Sequence, residues 1–290
     1  MKSDVLTTIK SNYNTFSKGQ KKISDFLLEH CEAACYLTAA KIGDTVGVSE
    51  STVVRFACQL GFEGFPEFQK ELQEVVQSRL NNIQRMQVSA ERFGNNILED
   101  ILSRDVDMIR QTSLTCSNES FNNAVEAIIN AKNVYIIGTR SSSSLSDFLS
   151  YYLGLFTDNV KLIQNANSNA LYEQLFRISK DDILIAISFP RYSNTTIKAI
   201  KFAFDSGATT LAITDTTYSP LIEYATLSLL AHTDMLSFVD SLVAPLSVLN
   251  ALIVAISEKK QEETQRSFQA LENIWDKHDI YHQKSWGKYE

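Results

Sequence analysis

At 290 residues the chain is long for one ordinary domain and comfortable for two. Hydrophobic residues make up 44% and charged residues 21%, with only 10 Gly and 4 Pro, which excludes collagen-like, low-complexity and mostly disordered chains. A net charge of −7 argues against a broad basic surface that coats nucleic acid nonspecifically, yet leaves room for a local DNA-binding patch. The first residues, Met1 to Lys10, have neither the apolar core of a secretory signal nor an Arg-rich, acid-poor transit character. No apolar run approaches the ~18 residues of a membrane span, so a soluble, cytoplasmic protein with no membrane partner is expected. Cys31, Cys35, Cys58 and Cys116 form no C-x-x-C pair and fall in segments that read as helical, so reduced, buried thiols are expected.

Up to about Leu80 the chain reads as short helices, with an apolar period near 3.6 in Ile23-Ser24-Asp25-Phe26-Leu27-Leu28 and again from Phe65 to Leu72. From Glu74 to Phe93 the patterning weakens, and Phe93-Gly94-Asn95-Asn96 is a breaker, which marks a linker. Ile97, Ile101, Val106 and Ile109 then outline an amphipathic helix over Asn96 to Arg110, and a further helix spans Asn122 to Asn130. Beyond Asn133 short aliphatic runs alternate with helical stretches. The runs are Val134–Ile137, Val160–Ile163, Ile183–Ile187, Thr210–Ile213 and Leu227–Leu230, and their composition suits strands buried on both faces. The fold class expected is an all-α helix-turn-helix domain followed by a three-layer α/β domain with a five-stranded parallel sheet. The divisions are residues 1–78 for the first domain, 79–120 for a helical linker, 121–260 for the second domain and 261–290 for a helical tail. The apolar stretch from Leu236 to Ile256, interrupted by Asp240, Ser241, Pro245 and Asn250, is expected to be a buried helix on the sheet, with surplus apolar surface for a subunit interface.

The stretch from Thr38 to Ala57 has a helix-turn-helix pattern. Gly43 is small where two helices cross, Gly47 can take φ > 0, and Ile42, Val46, Val48, Val53 and Phe56 supply a shared core. Ser49 is placed to cap the second helix through its hydroxyl. Burying Val53, Phe56, Ala57 and Leu60 leaves Ser51, Thr52, Arg55 and Gln59 on the other face. There Arg55 can donate to guanine or phosphate, Gln59 can read adenine, and the hydroxyls can meet phosphate or bases. A solvated helical hairpin would use the same residues, so the motif alone is weak. Read with its neighbours it is stronger. Val48 to Phe56, followed by Leu60-Gly61-Phe62-Glu63-Gly64-Phe65-Pro66-Glu67-Phe68, resembles the N-terminal domain of the RpiR/MurR family of bacterial transcriptional regulators. So does the approach from Phe16 to Leu28, where that family has a serine-capped helix carrying lysines such as Lys18, Lys21 and Lys22. The resemblance covers about the first 75 residues and implies double-stranded operator DNA as a partner.

Two strand-end loops carry the second candidate site. Gly138-Thr139-Arg140-Ser141-Ser142-Ser143-Ser144-Leu145 follows the first strand, and Ser188-Phe189-Pro190-Arg191-Tyr192-Ser193-Asn194-Thr195-Thr196 follows the third. Each brings hydroxyls to the start of a helix, where free backbone N–H groups favour an anion. These loops, with Ile213-Thr214-Asp215 and Ser219-Pro220-Leu221, resemble the sugar isomerase (SIS) domain of RpiR/MurR regulators over roughly Phe121 to Ser257. That resemblance implies a small anionic effector, a sugar phosphate, held by Ser142 or Ser143 in the first loop and by Ser188 and Ser193 in the second; the hydroxyls of Thr139, Ser141 and Thr195 and the charges of Arg140 and Arg191 complete the candidate set. The chain departs from the family where Pro190-Arg191 replaces a Ser-Gly pair and where the first loop lacks its second glycine. Arg191 can compensate by bidentate pairing with phosphate or carboxylate.

SIS domains also serve isomerases, which makes a sugar-phosphate isomerase the alternative. Glu173, Asp215, Glu223 and His232 are the nearest acid/base candidates, and none stands in a marked motif. His278 and His282 have the i, i+4 spacing of two zinc ligands but lack the adjoining Glu of H-E-x-x-H. The expectation is a regulator with no catalytic residues, no metal and no cofactor, assembled as a homodimer or homotetramer.

Overall fold

A computed structural model of the protein describes residues 4–79, 81–90, 96–164 and 168–281. They group into two units. The first takes the chain up to Ser103 together with Pro190–Tyr192 and Asp234–Ser241; the second takes Arg104–Phe189, Ser193–Thr233 and the chain from Leu242 onward.

The first unit is helical: α1 Val5–Asn12, α2 Lys18–Glu29, α3 Cys31–Ala34, α4 Ala39–Val46, α5 Glu50–Gln59, α6 Phe65–Arg79 and α7 Asn82–Ala90. Polar caps fix where several begin. Asp4 accepts the Thr7 N–H at 2.8 Å ahead of α1. Ser17 and Gln20 form a reciprocal capping box at α2, satisfying two backbone donors that the helix leaves open. The apolar faces meet in one buried cluster that includes Ile23, Leu27, Ile42, Val53, Phe56, Phe68 and Leu72. Burying a side chain of this size contributes about 1.5–3 kcal/mol. The Gly-Phe repeat explains itself here, because Phe68 packs edge-on against both Phe56 and Phe62, with ring centroids 6.1 and 5.5 Å away.

α8 Ile97–Thr115 begins in the first unit and ends in the second. The second unit continues with α9 Asn118–Asn130, β1 Val134–Gly138, α10 Ser143–Gly154, β2 Val160–Ile163, α11 Ser168–Leu175, β3 Ile183–Ile187, α12 Asn194–Asp205, β4 Thr209–Thr214, β5 Leu227–Leu230, α13 Val243–Lys259 and α14 Gln261–Lys277. The five strands are all parallel in the order β2-β1-β3-β4-β5. Every residue of β1 and β3 is buried, as their unbroken aliphatic runs require, whereas the edge strands β2 and β5 are only partly covered. On one face Val134, Ile136, Ile183, Ile185, Leu211 and Ile213 form a single core with residues of α9, α10 and α13.

Three expectations change. The Leu236–Ile256 helix starts only at Val243, since Met235 and Asp240 form an antiparallel bridge that holds the preceding residues in a turn. Helix α8 forms, but Ile97, Val106 and Ile109 of its apolar pattern are exposed, as are Leu98, Leu102 and Leu114. The cysteines are free thiols, yet only Cys35 is buried: Cys31 and Cys116 are half-buried and Cys58 is exposed on α5. Among the described residues no helix is long and apolar enough to cross a membrane. The breaker at Phe93-Gly94-Asn95 and the second histidine, His282, lie outside the described residues.

Candidate functional site

The DNA-reading candidate is built by the α4–α5 pair. Gly47 ends α4 with φ 70°, which frees the chain to turn. Gly43 is forced by contact, because a Cβ there would lie 2.7 Å from the Val48 carbonyl oxygen. On α5, Val53, Phe56 and Ala57 are buried while Ser51, Arg55 and Gln59 are exposed and Thr52 is half-buried. Leu60, expected in the core, is half-buried. Ser49 stands at the N-cap position, but its hydroxyl makes no cap bond to the backbone. It pairs instead with the hydroxyls of Ser51 and Thr52, each at 2.9 Å, because two competing side-chain partners lie closer to hand. Arg55 Nε donates to the Ser51 carbonyl at 3.2 Å, which lays the side chain along the exposed face. Gln20 was not singled out in the sequence, yet its Nε2 donates to Gln59 Oε1 at 2.5 Å and ties α2 to the reading helix. Its signal was the S-x-x-Q spacing of the capping box.

The second site lies in the α/β unit. Strand order reverses direction between β1 and β3, and a doubly wound sheet has its crevice at that switch, beyond the carboxyl ends of the two strands. The two hydroxyl loops are the loops that leave these strands. Thr139 Oγ1 and Thr196 Oγ1 meet at 3.2 Å, joining the first loop to the start of α12. Thr196, at the end of the hydroxyl-rich second loop but outside the candidate ligand set, is buried.

In the first loop Arg140 holds φ 58°, the left-handed region that glycine would occupy without cost. A 3-10 turn over Arg140–Ser142 leads into α10. Ser142 is buried at the N-cap position without a side-chain cap bond, so its expected capping hydroxyl is not used that way. Ser143 and Ser144 donate back to the carbonyls of Arg140 and Ser141 at 2.7 and 2.8 Å. Ser141 is exposed and Thr139 half-buried. Gly138 is obligatory, since a Cβ would come within 2.4 Å of the Ser142 carbonyl oxygen. In the second loop buried Ser188 accepts the Ser193 N–H at 3.3 Å, and Ser193 caps α12 by accepting the Thr195 N–H at 3.2 Å. The third loop adds a buried pair, Thr214 Oγ1 to Ser219 Oγ at 2.8 Å. Arg191 groups with the first unit, where its Nη1 donates to Asn82 Oδ1 at 2.7 Å.

The isomerase candidates come from different elements, and Asp215 is half-buried just after β4. Glu173 is exposed on α11, Glu223 is exposed in a 3-10 turn after β4, and His232 follows β5, where its N–H donates to Thr112 Oγ1 at 2.9 Å. Among the described residues no three His, Cys, Asp or Glu side chains cluster as metal ligands would.

Comparison with known proteins agrees with this division. Residues 3–79 match the helix-turn-helix domain model of the rpiR family, and residues 127–255 match the SIS domain model. An HTH-type transcriptional regulator of Haemophilus influenzae is 26% identical over 77% of this chain and 77% of its own length. Another, from Caldanaerobacter subterraneus, is 22% identical over 91% and 94%. Among solved structures, the sugar isomerase domain of an RpiR transcription factor from Sphaerobacter thermophilus is 25% identical, with a TM-score of 0.59, and covers 62% of this chain and 99% of its own. Vibrio vulnificus NanR, solved with ManNAc-6P, has the same fold at 22% identity and a TM-score of 0.57, covering 96% and 99%. These two relatives are HTH-type transcriptional regulators. With an rpiR-family helix-turn-helix domain followed by a SIS domain, the chain is an RpiR-like, SIS-domain transcriptional regulator.

Proposed function

We propose that this regulator binds a double-stranded operator through Ser49, Ser51, Thr52, Arg55 and Gln59, and that a small anionic metabolite, a sugar phosphate, sets its operator affinity. It acts in the cytoplasm as a homodimer or homotetramer, without a cofactor. Residues 1–78 read DNA, 79–120 link, 121–260 sense and 261–290 form a tail. The observation that carries the effector reading is the pair of hydroxyl loops at the β1/β3 switch, drawn together by Thr139 and Thr196. Thr139, Arg140, Ser141, Ser142, Ser143, Ser188, Ser193 and Thr195 surround an anion there, with Arg191 recruited from the second loop. A phosphorylated amino sugar is bound by NanR, a protein of the same fold, which makes that class the first to test. The effector acts by population shift, binding one arrangement of the assembly more tightly and changing how the reading helices present.

Two measurements test this. In gel-shift titration against an operator selected from a random pool, Arg55→Ala is expected to lose about 1–3 kcal/mol of binding with the fold intact. Unchanged binding at fixed salt removes Arg55 from the interface. In calorimetry with a panel of hexose and amino-sugar 6-phosphates, Ser188→Ala and Ser142→Ala should each weaken the best ligand severalfold to about a hundredfold, the range for one hydrogen bond to a neutral or charged group. NMR of the same mixtures should show each sugar phosphate unchanged, whereas an isomer formed at a rate abolished by Glu173→Gln would support the isomerase alternative.

A further inference from the structure

Helix α7 belongs to neither candidate site, yet it carries Arg85, whose side chain is only 4% exposed. Its two terminal nitrogens engage the two carboxylate oxygens of Asp240, itself 13% exposed. Arg85 Nε is buried without a hydrogen-bond partner. One turn before, Asn82 accepts the Arg191 hydrogen bond; one turn after, Ser89 Oγ donates to Ser237 Oγ at 2.9 Å. Positions 82, 85 and 89 fall on one face of a helix. That face therefore grips two segments, 190–192 and 234–241, that follow β3 in the chain and β5 in the chain.

The chemistry of this grip is polar where an apolar one would hold better. A buried ion pair gives back little net stability, since desolvation consumes most of its Coulomb gain, but it specifies geometry and is lost sharply when one partner goes. Burial raises the Asp240 carboxyl above its ordinary range, and the hydrogen bond and charge of Arg85 only partly reverse this. The charge of Arg191 also helps to hold Asp240 ionised, opposed by Asp234. Arg191 is attached to the grip through Asn82, and in sequence it stands between Ser188 and Ser193 of the proposed effector loop.

We propose that α7 is a releasable latch: its Asn82, Arg85 and Ser89 face holds segments 190–192 and 234–241, and an anion that recruits Arg191 frees it. The anion-driven step rests on the effector reading above, while the latch itself does not. Recruitment removes the donor from Asn82, so one binding event breaks one of the three contacts on this face. The reading domain is joined directly to α7, so the latch state bears on the chain that leads to the DNA-binding helices.

Hydrogen–deuterium exchange of the full chain tests both halves. Asp240→Asn is expected to speed exchange over residues 82–90 by about tenfold to a hundredfold, the weight of one charge-assisted hydrogen bond, with α2 and α5 unchanged. Asn82→Ala, an exposed change, should act the same way on a smaller scale, which guards against a general unfolding of the Asp240 variant. Wild-type exchange over 82–90 in both variants overturns the latch. Inorganic phosphate and glucose 6-phosphate, compared with chloride at equal ionic strength, should speed the same segment in the wild type and have no further effect in Arg191→Ala. Calorimetry on the same samples separates the two ideas. Binding without release overturns the anion-driven step and leaves the effector reading standing, whereas no binding of either probe counts against the effector reading and overturns the anion-driven step with it.

Discussion

Arg140 stands at φ 58° in the first hydroxyl loop, where a side chain on Cβ crowds the backbone. The left-handed conformation costs a non-glycine residue about 1–2 kcal/mol, and glycine's extra freedom in the unfolded chain returns roughly 0.5–1 of that. Arg140→Gly should therefore raise stability in urea denaturation by up to about 1 kcal/mol while weakening any anion that uses the guanidinium. A loss of stability would mean that the side chain contributes more than its backbone strain costs. Asp182 shows the opposite economy. Burial raises its carboxyl, but Asn133 Nδ2, donating at 2.5 Å, and the Ser179 N–H and Oγ, at 2.8 and 2.9 Å, outweigh burial and hold it below the ordinary carboxylate range. Its stabilisation is present above that range and is lost as pH falls through it. Asp182→Ala should cost about 1.5–3 kcal/mol near neutral pH, and the gap to wild type should narrow as the pH is lowered; a gap that stays constant would assign the loss to packing instead. Ser193, named as a ligand residue, caps its helix, whereas Ser49, named as a cap, does not, and neither does Ser142. A hydroxyl at an N-cap position announces where a helix starts, and only the neighbouring side chains decide what it bonds.

At the level of elements, what the chain declared locally came through. The helix-turn-helix rests on Gly43 and Gly47, each required by a contact or a positive φ within a few residues. Gly43→Ala must push the Val48 carbonyl away, separating α4 from α5, with an expected cost of about 1–3 kcal/mol and loss of operator binding; thermal melts at wild-type temperature would show that the turn yields without strain. The strands were legible for a similar reason, since β1 and β3 are buried on both faces and need no alternation to be recognised. α7 was not legible. Its partners Arg191 and Asp240 are 109 and 155 residues away, and no local pattern links a polar helix in a weakly patterned stretch to a turn after a distant strand. The departure of the second loop from its family's pattern marks Arg191 as a candidate ligand residue, whereas the structure also gives that side chain a partner on α7.

For the whole molecule, an amphipathic α8 implies a covered apolar face, yet much of that face is exposed. Leu98, Leu102, Val106 and Ile109 are exposed and fall within one helical stripe, the spacing that serves a partner helix. In the second unit Ile109 also borders a largely apolar cavity of about 300 Å³ lined by Cys116, Phe121 and Val248, where burial raises the Cys116 thiol. A second copy of the chain, meeting the stripe across a dyad, would cover the same residues on both partners, as a symmetric interface requires. Placing a carboxylate in that stripe should then separate the copies: Leu102→Glu with Val106→Glu is expected to give monomers in sedimentation velocity at concentrations where the wild type is expected to dimerise, with the circular dichroism spectrum retained. Because a dimer engages two half-sites related by the dyad, the same variant should lose the two-part footprint on the operator and bind a single half-site weakly. A variant that remains dimeric, or a wild type whose footprint covers one half-site only, would place the subunit contact elsewhere and leave the α8 stripe without this role.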